Sequence, residues 1–393
     1  MRKVYLDNGN TTPLHPDVLP AMLPYLSQHF GNPASIHSFG EEPRKGLATA
    51  REQVASLIGA EKDEILFTSC GTESNNFAIK GAANALKKKG THLITSAIEH
   101  FSVLYSFKYL EKQGFEVTYL PVDGDGLVNP DDVKKTIRAD TTLVSVMHAN
   151  GEMGAVQPIA EIGKITREAG VTFHTDAVIS AGNIPVDAND MNVDLLSMAA
   201  NMFYGPKGAG ALYVRKGTRI LPIFDGGVQE GGRRAGTENL PGIVGMGKAA
   251  EIAKAELPER VQRITAMRDR LVGGIREKIG HIRYNGHPVK RLPGNISISM
   301  EFIEGESMLL FLNMNGIAAS SGSACTSRAL KASHVLTSMG VPVEVCHGSL
   351  LMTIGRENTD EDIDYVLEVL PGIVQRLRDM SPMWEDFVKS QKA

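Results

Sequence analysis

Cysteine is scarce in this chain of 393 residues. Only Cys70, Cys325 and Cys346 occur, far apart and without a C-x-x-C pair. This scarcity excludes a disulfide framework and a complete zinc site built from cysteine alone. Any bound metal would need ligands from other residue types or from another protein.

Long apolar runs and an excess of one charge are also missing. The N-terminal stretch MRKVYLDNGNTTP contains no apolar segment of signal-peptide length, and no later run approaches a membrane span. Acidic and basic residues nearly balance, 45 against 41, so no broad positive field attracts nucleic acid or an anionic membrane. We expect a cytoplasmic globular protein that binds neither nucleic acid nor membrane.

The length and the apolar pattern predict two α/β domains. The expected large domain spans residues 13–256, and the smaller one combines residues 1–12 with 257–393, because the pattern changes to a charged helix near Glu256. Helical spacing begins near Leu47 and stops at Gly59. The last helix is expected to start at Thr359, and its expected buried stripe is Ile363, Val366, Leu367, Leu370, Val374 and Leu377. Apolar runs bounded by turn residues predict strands at 64–68, 92–96, 116–120, 143–148 and 171–174. This alternation favours a mostly parallel sheet whose ligands gather beyond the carboxyl ends of its strands.

The segment ILFTSCGTESNN, residues 65–76, runs from a predicted strand through glycine into a predicted helix. Such a helix N-terminus presents free backbone N–H groups and hydroxyls, which bind anions. An ordinary glycine turn with a Thr or Ser cap explains the same letters.

Two further segments give this turn a context. One is VTFHTDA, residues 171–177, an apolar strand that ends at Asp176; the other is LLSM, leading into Tyr204-Gly205-Pro206-Lys207-Gly208. Together they resemble fold-type I pyridoxal phosphate enzymes, in which an aspartate at this place pairs with the pyridinium nitrogen. Taken alone, Asp176 would more often be a helix cap.

Four other segments indicate which of these enzymes the chain resembles. They are SSGSACTS around Cys325, NPASIH from Asn32, HANGE from His148, and Gly236-Thr237-Glu238-Asn239. The chain resembles the cysteine desulfurases of iron–sulfur assembly from about Val4 to Trp384. The resemblance implies a mainly parallel seven-stranded sheet with a smaller C-terminal α/β domain, a homodimer, and pyridoxal phosphate as cofactor.

The resemblance also implies roles for individual residues. Gly71, Thr72 and Thr237 would cradle the phosphate, with Thr237 reaching in from the partner subunit. His100 would stack on the ring, Asn150 would contact its hydroxyl group, and Asp176 would contact its nitrogen. Asn32 and Arg356 would bind the L-cysteine substrate. Cys325 would be the nucleophile that receives the sulfur as a persulfide. His100 as a strand-end histidine with a backbone partner is the alternative interpretation.

Four positions depart from the family pattern in one expected pocket. The family writes Ser-x-His-Lys where this chain writes Ala199-Ala200-Asn201-Met202, and a glutamine is expected where Ile179 stands. Met202 has no amine, so it can neither link the cofactor nor move its protons. Lys207, five residues later, belongs to the family pattern already and is not expected to substitute.

Two functions remain open from the sequence. The first is a cysteine desulfurase, impaired at Met202, that supplies sulfur through Cys325 to an iron–sulfur scaffold protein. The second is a non-catalytic assembly partner whose Cys325 ligates a [2Fe-2S] cluster shared with that scaffold. The tail from Ser381 resembles a scaffold-docking tail with Trp384 as anchor; packing of Trp384 on its own domain is the alternative.

Overall fold

The computed structural model describes residues 2–321 and 332–392. The strands are β1 (Val4–Tyr5), β2 (Ile65–Thr68), β3 (His92–Ser96), β4 (Glu116–Leu120), β5 (Thr141–Ser145), β6 (Thr172–Asp176), β7 (Leu195–Ala199), β8 (Gly210–Val214), β9 (Ile282–Tyr284), β10 (Asn295–Met300), β11 (Ile317–Ala318) and β12 (Ser349–Thr353). The helices are α1 (Val18–Ser27), α2 (Glu41–Leu57), α3 (Gly71–Leu86), α4 (Phe101–Glu111), α5 (Pro130–Thr136), α6 (Ile159–Glu168), α7 (Leu240–Lys278), α8 (Gly305–Met314), α9 (His334–Ser338), α10 (Val343–His347), α11 (Asp360–Asp379) and α12 (Pro382–Lys392).

The largest sheet has seven strands in the order β2-β8-β7-β6-β5-β3-β4. Only β8 runs against the others, pairing antiparallel with β2 and β7, and the remaining pairs are parallel. The predicted mainly parallel seven-stranded sheet is confirmed. Strands β3 and β4 have the predicted bounds, whereas β5 begins two residues before the predicted 143 and ends at Ser145.

Helices cover both faces of this sheet because its strands alternate their apolar side chains between the faces. Leu66, Leu93 and Leu143 pack with residues of α3 and α4 on one face. Phe67 and Ile94 pack on the other face with residues of α2, α6 and the first half of α7. Five strands, β2, β3, β5, β7 and β8, therefore contribute to both apolar layers, whereas the central strand β6 contributes Phe173 to one layer only.

A smaller antiparallel sheet, in the order β12-β10-β9, lies in the C-terminal part together with the parallel pair β1-β11. It shares a separate apolar cluster with α8 and α11. Thr359 begins α11 as predicted, because its side chain accepts from Asp362 N while the Asp362 carboxylate accepts from Thr359 N. The predicted stripe of α11 faces this cluster.

The long helix α7 takes part in both clusters. Its 39 residues run without interruption past Glu256, where the charged pattern suggested a boundary. Ile243 and Met246 pack in the cluster under the large sheet, and Ile264 and Leu271 pack in the C-terminal one. The division into two domains at residue 256 stays a prediction. The two separate clusters support this division, although α7 continues across residue 256.

The tail packs against its own chain. The Trp384 ring lies 5.5 Å from His281 and 5.4 Å from Phe302, measured between ring centroids, and the Arg378 guanidinium lies 4.9 Å from its centroid. This arrangement agrees with the alternative interpretation, in which Trp384 packs on its own domain. Within the described part of the chain, none of the helices has a segment long and apolar enough to cross a membrane.

Candidate functional site

A cleft of about 360 Å³ opens beyond the carboxyl ends of the large sheet. The loops that follow β2, β3, β5, β6 and β7 all contribute to its lining, and residues 9–10, 320–321 and 334–335 close its other side. This is the edge at which ligands of parallel sheets bind. The cleft brings together most of the predicted site residues: Gly71, Thr72, His100, Asn150, Asp176, Ile179, Ala199, Asn201 and Met202.

The turn at the start of α3 forms one wall of the cleft. Ser74 N donates the first intrahelical hydrogen bond, to Cys70 O at 3.1 Å, so the helix leaves the N–H groups of Gly71 and Thr72 without intrahelical acceptors. A Cβ atom at Gly71 would lie 2.5 Å from Val178 Cγ2, which explains why glycine fits this close approach. The turn is suited to an anion such as a phosphate.

Asp176 forms the floor of the cleft at the end of β6. Its Oδ2 accepts from Asn75 Nδ2 at 2.6 Å, and its Oδ1 accepts from Val178 N at 2.9 Å. Burial raises the pKa of this carboxyl, although these hydrogen bonds and the nearby His100 oppose the rise. A cationic N–H donor from a ligand would offset the cost of burying the charge.

His100 is joined to this floor through hydrogen bonds. Its Nδ1 accepts from Ser102 N at 3.1 Å and thereby caps α4, which leaves the proton of the neutral ring on Nε2. Ser102 Oγ, 2.7 Å from the same Nδ1, accepts from Asn75 Nδ2 at 2.9 Å. The backbone partner of the alternative interpretation is therefore present, and the ring still lines the cleft.

Asn150 is held by backbone groups at both ends of its amide. Nδ2 donates to Ile98 O at 3.0 Å, and Oδ1 accepts from the N–H groups of Glu152 and Met153 at 2.9 and 3.0 Å. Nδ2 also donates to Met147 Sδ at 3.4 Å, and because a thioether sulfur is a weak acceptor, a ligand oxygen would compete well for this hydrogen.

The four unusual positions line the cleft, and three of them, Ile179, Ala199 and Met202, are apolar. Met202 is 5% exposed, and its sulfur lies 3.3 Å from Asn201 Nδ2. Met202 and Ile179 also line an adjoining cavity of about 60 Å³, so their side chains stand between the two spaces. Lys207 is not among the described residues of the cleft lining, and its Nζ donates to Thr12 O at 3.3 Å.

Three predicted residues lie outside the cleft that this chain forms. The Arg356 guanidinium is paired with Glu357 at 2.6 Å and with Glu256 at 3.4 Å. Asn32 accepts from Ala34 N at 2.8 Å, and Thr237 is exposed. Their roles stay predictions, and for Thr237 the predicted place is the site of a partner subunit.

Cys325 lies outside the described residues. Ser321, the last described residue before it, and His334, the third described residue after it, line the cleft. His334 Nε2 lies 3.0 Å from Glu99 O, and its ring stacks obliquely on Phe101 with centroids 4.8 Å apart. Of the other cysteines, Cys70 lines the cleft, and Cys346 is buried in an apolar cluster, where burial raises the pKa of its thiol to about 11.

Two carboxyl groups of the cleft were missed from the sequence. Glu99 is fully buried, with Oε1 accepting from Ser96 Oγ at 2.6 Å and from Met147 N at 2.9 Å. Glu152 receives a hydrogen bond from Ser333. Burial raises the pKa of each carboxyl to about 8. Glu99 directly precedes His100, and Glu152 follows Asn150 by two residues. Closeness to these predicted site residues was the sequence signal that could have identified both carboxyl groups.

The described residues fit a pyridoxal-type ligand at its ring and phosphate. The α3 turn suits the phosphate, buried Asp176 suits a protonated ring nitrogen, and His100 offers a ring face. The side formed by Met202, Ala199 and Ile179 offers no amine for a covalent link. Among the described residues, no group of three or more His, Cys, Asp or Glu side chains could hold a metal ion.

Comparisons with known proteins agree with this geometry. The aminotransferase class-V family model matches residues 4–366. The chain is 54% identical over 382 residues to the cysteine desulfurase IscS of Methanosarcina thermophila, covering 97% of this chain and 94% of that protein. It is 52% identical to the cysteine desulfurase IscS of Dictyoglomus turgidum over the full length of both chains.

The fold has close counterparts among solved structures. One is a NifS-like protein with a TM-score of 0.90 and 38% identity, covering 96% of this chain and all of that one. Another, from Rickettsia africae, has a TM-score of 0.86 and 30% identity. With its sheet, its cleft and its full-length relatives in agreement, this chain is a member of the class-V aminotransferase family and a homologue of the proteins named cysteine desulfurase IscS.

Proposed function

We propose that this protein supplies sulfur for iron–sulfur cluster assembly, carrying it as a persulfide on Cys325 and passing it to a scaffold protein. L-cysteine is the sulfur source, alanine is the co-product, and pyridoxal phosphate is the cofactor expected for the family. The protein acts as a homodimer in which Thr237 of each subunit completes the other subunit's phosphate site.

The observation that carries this proposal is the hydrogen-bonded floor of the cleft. Asp176 is buried, held at 2.6 Å by Asn75, and lies in the same cleft as the anion-binding turn of α3. When bound, the cofactor supplies an electron sink that weakens bonds in the substrate. Asp176 would keep its ring protonated, Gly71 and Thr72 would hold its phosphate, and His100 would orient the ring.

Met202 should make the cysteine reaction slow. Where the family resemblance expects the lysine that moves protons, Met202 has only a thioether, and a positioned general acid–base group typically contributes ~10²–10⁴-fold. The losses at Ala199, Asn201 and Ile179 remove further contacts with the cofactor. The cofactor would therefore be held without a covalent bond to the protein.

The test is Cys325→Ser, with sulfur transfer to a purified iron–sulfur scaffold protein as the measurement. We expect transfer from L-cysteine to be abolished while the dimer stays folded, because the sequence around Cys325 consists of small and polar residues and is unlike the apolar setting of a structural cysteine. Unchanged transfer would reject the proposal. Cys70→Ser is the matched control, since Cys70 lines the same cleft but has no assigned role.

The absence of an amine from the described lining favours a second candidate. In it, the protein does not break down cysteine, and Cys325 ligates a [2Fe-2S] cluster that is shared with the scaffold. Anaerobic mixing with iron, sulfide and scaffold distinguishes the two. Cluster absorbance that depends on Cys325, without alanine formation from L-cysteine, would select the second candidate.

A further inference from the structure

Four side chains of the cleft are joined in one row of hydrogen bonds. Asn75 Nδ2 donates to Asp176 Oδ2 at 2.6 Å and to Ser102 Oγ at 2.9 Å, and Ser102 Oγ lies 2.7 Å from His100 Nδ1. All four residues line the cleft, and Asn75, Ser102 and Asp176 are buried. The row therefore connects the expected partner of the ring nitrogen with the histidine that is expected on the ring face.

The amide of Asn75 leaves one hydrogen bond unmade in this arrangement. Both hydrogens of Nδ2 are used, while Oδ1 is buried and has no donor among the described residues. A buried acceptor without a donor is costly. Turning the amide would place Oδ1 against the Asp176 carboxylate, and two acceptors cannot share a hydrogen bond while that carboxylate is ionised. The ionised form of Asp176 therefore fixes the orientation of the amide.

The direction of the remaining bonds follows from that orientation. Because Ser102 Oγ accepts from Asn75, its own hydrogen points at His100 Nδ1. Ser102 N also donates to Nδ1, at 3.1 Å. Two donors then face one ring nitrogen, so the proton of the neutral ring belongs on Nε2.

We propose that Asn75 and Ser102 are positioning residues that tie the tautomer of His100 to the ionised state of Asp176. With Asp176 ionised, His100 lines the cleft with Nε2–H as its only N–H group, and its unprotonated nitrogen is occupied by Ser102. His100 then acts on a ligand as a neutral hydrogen-bond donor rather than as a base. The inference rests on the proposed function for the place of the cofactor ring, whereas its first test needs no cofactor.

Replacing the carboxylate by an amide tests this connection. In Asp176→Asn, Oδ1 would keep the hydrogen bond from Val178 N, which is 2.9 Å long in the wild type, and Nδ2 would replace the oxygen that faces Asn75. The Asn75 amide should then turn and present Oδ1 to the new donor. The turned Oδ1 also accepts from the Ser102 hydroxyl, so Ser102 Oγ becomes an acceptor for a protonated Nδ1 of His100.

The measurement is the tautomer ratio of His100 in the cofactor-free protein. Proton–nitrogen correlation spectra of isotope-labelled histidine rings report it at about pH 8, where imidazole is neutral, and His100→Gln assigns the signal among the 11 histidines. We expect the Nε2–H tautomer of the wild type to exceed the other by about tenfold or more, and Asp176→Asn to reduce the ratio to about threefold or less. Equal populations in the wild type, or an unchanged ratio in Asp176→Asn, would overturn the proposal.

Asn75→Ala separates the hydrogen-bonded connection from a direct effect of charge. Once the amide is removed, Asp176→Asn should change the tautomer ratio no further. An equal change with and without Asn75 would mean that the Asp176 charge acts on His100 through space, and it would reject the connection. Ser102→Ala interrupts the same row from the other end and should give the same result, so the test does not depend on the folding of Asn75→Ala.

Two further serine variants on α4 are controls. Ser102→Thr keeps the hydroxyl and should keep the wild-type ratio. Ser106→Ala removes a buried hydroxyl one turn later, which donates to Ser102 O at 2.7 Å, and it should also keep the ratio. A loss in Ser106→Ala as large as that in Ser102→Ala would show that the packing of α4 sets the tautomer, and it would contradict the proposal.

Product analysis separates this inference from the proposed function. Alanine formation from L-cysteine with excess pyridoxal phosphate should fall about threefold to tenfold in Ser102→Ala and recover in Ser102→Thr. If the wild type forms no alanine but the tautomer follows the variants as described, the proposed function is rejected and the positioning of His100 stands. If alanine is formed and the tautomer does not respond to Asp176→Asn, the proposed function stands and this inference is rejected.

Discussion

Glu73 and Arg234 form a two-pronged ion pair between the anion-binding turn of α3 and the segment that leads to Thr237. Arg234 Nε lies 2.8 Å from Glu73 Oε1, and Nη2 lies 3.2 Å from Oε2. The same Glu73 Oε2 accepts from Ser69 N at 2.8 Å. One carboxylate thus fixes the turn of its own cleft and the segment predicted to enter the partner's cleft.

Removing this pair should reduce stability in a pH-dependent way. Glu73→Gln, Arg234→Gln and the double variant should give a coupling energy of about 1–3 kcal/mol in chemical denaturation, because one partner is nearly buried. Burial alone would raise the pKa of Glu73, but hydrogen bonds from Arg234 and Ser69 outweigh it and the pKa is lowered. The coupling is therefore present above about pH 4.5 and is lost as the pH falls through the lowered pKa. The exposed pair of Glu42 and Lys45, removed singly and together in the same way, should show a coupling energy of less than about 0.5 kcal/mol.

Glu99 should have the opposite effect on stability as the pH changes. Burial raises its pKa to about 8, so the folded protein binds a proton that the unfolded chain releases near pH 4.5. The contribution of Glu99 is fully present below pH 4.5 and is lost as the pH rises to about 8. Wild type should lose a few kcal/mol relative to Glu99→Gln across that window, measured by urea unfolding of cofactor-free protein. A constant difference would show that Glu99 is ionised in the folded state.

Met202→Lys should give only a partial gain in alanine formation from L-cysteine with excess pyridoxal phosphate. The change supplies an amine, but positioning errors of about 1 Å can cost ~10²-fold. Adding Ala199→Ser, Asn201→His and Ile179→Gln should restore the missing contacts, and the quadruple variant should exceed the product of the single effects. Wild-type activity equal to that of the quadruple variant would mean that a base other than position 202 moves the protons.

Trp384→Ala should lower the free energy of unfolding by about 2 kcal/mol, because the ring packs among His281, Phe302 and Phe387 on its own chain. Circular dichroism should follow the unfolding, since Trp384 is the only tryptophan. Met383→Ala is the control and should change the stability by less than about 0.5 kcal/mol, as Met383 is 54% exposed. No loss of stability in Trp384→Ala would restore the view of this ring as an anchor for a partner.

Local patterns predicted the strands and caps well. The bounds of β3 and β4 and the Thr359 cap follow from apolar runs and capping chemistry, which act over a few residues. The continuity of α7 past Glu256 was not predicted, because a change in surface charge resembles a boundary even where the backbone stays helical.

Contacts between distant segments limited the prediction of the site. Asp176 was identified from the end of its strand, but its partner Asn75 is 101 residues away and only the parallel sheet brings them together. The unpartnered oxygens of Glu99 and Glu152 depend on burial from several loops at once, which no spacing along the chain indicates. A sequence motif therefore indicates that a side chain lies at the site, but it does not indicate which distant residues the side chain contacts.

The position of α7 in both clusters affects how the molecule unfolds. Its first half is packed under the large sheet and its second half in the C-terminal cluster, so loss of either cluster leaves half of one helix without support. An isolated half-helix of this length is marginal in water, which makes a half-unfolded molecule unfavourable. Heating should therefore melt both clusters in a single cooperative transition, and a protease should cut α7 only in molecules that have already unfolded throughout.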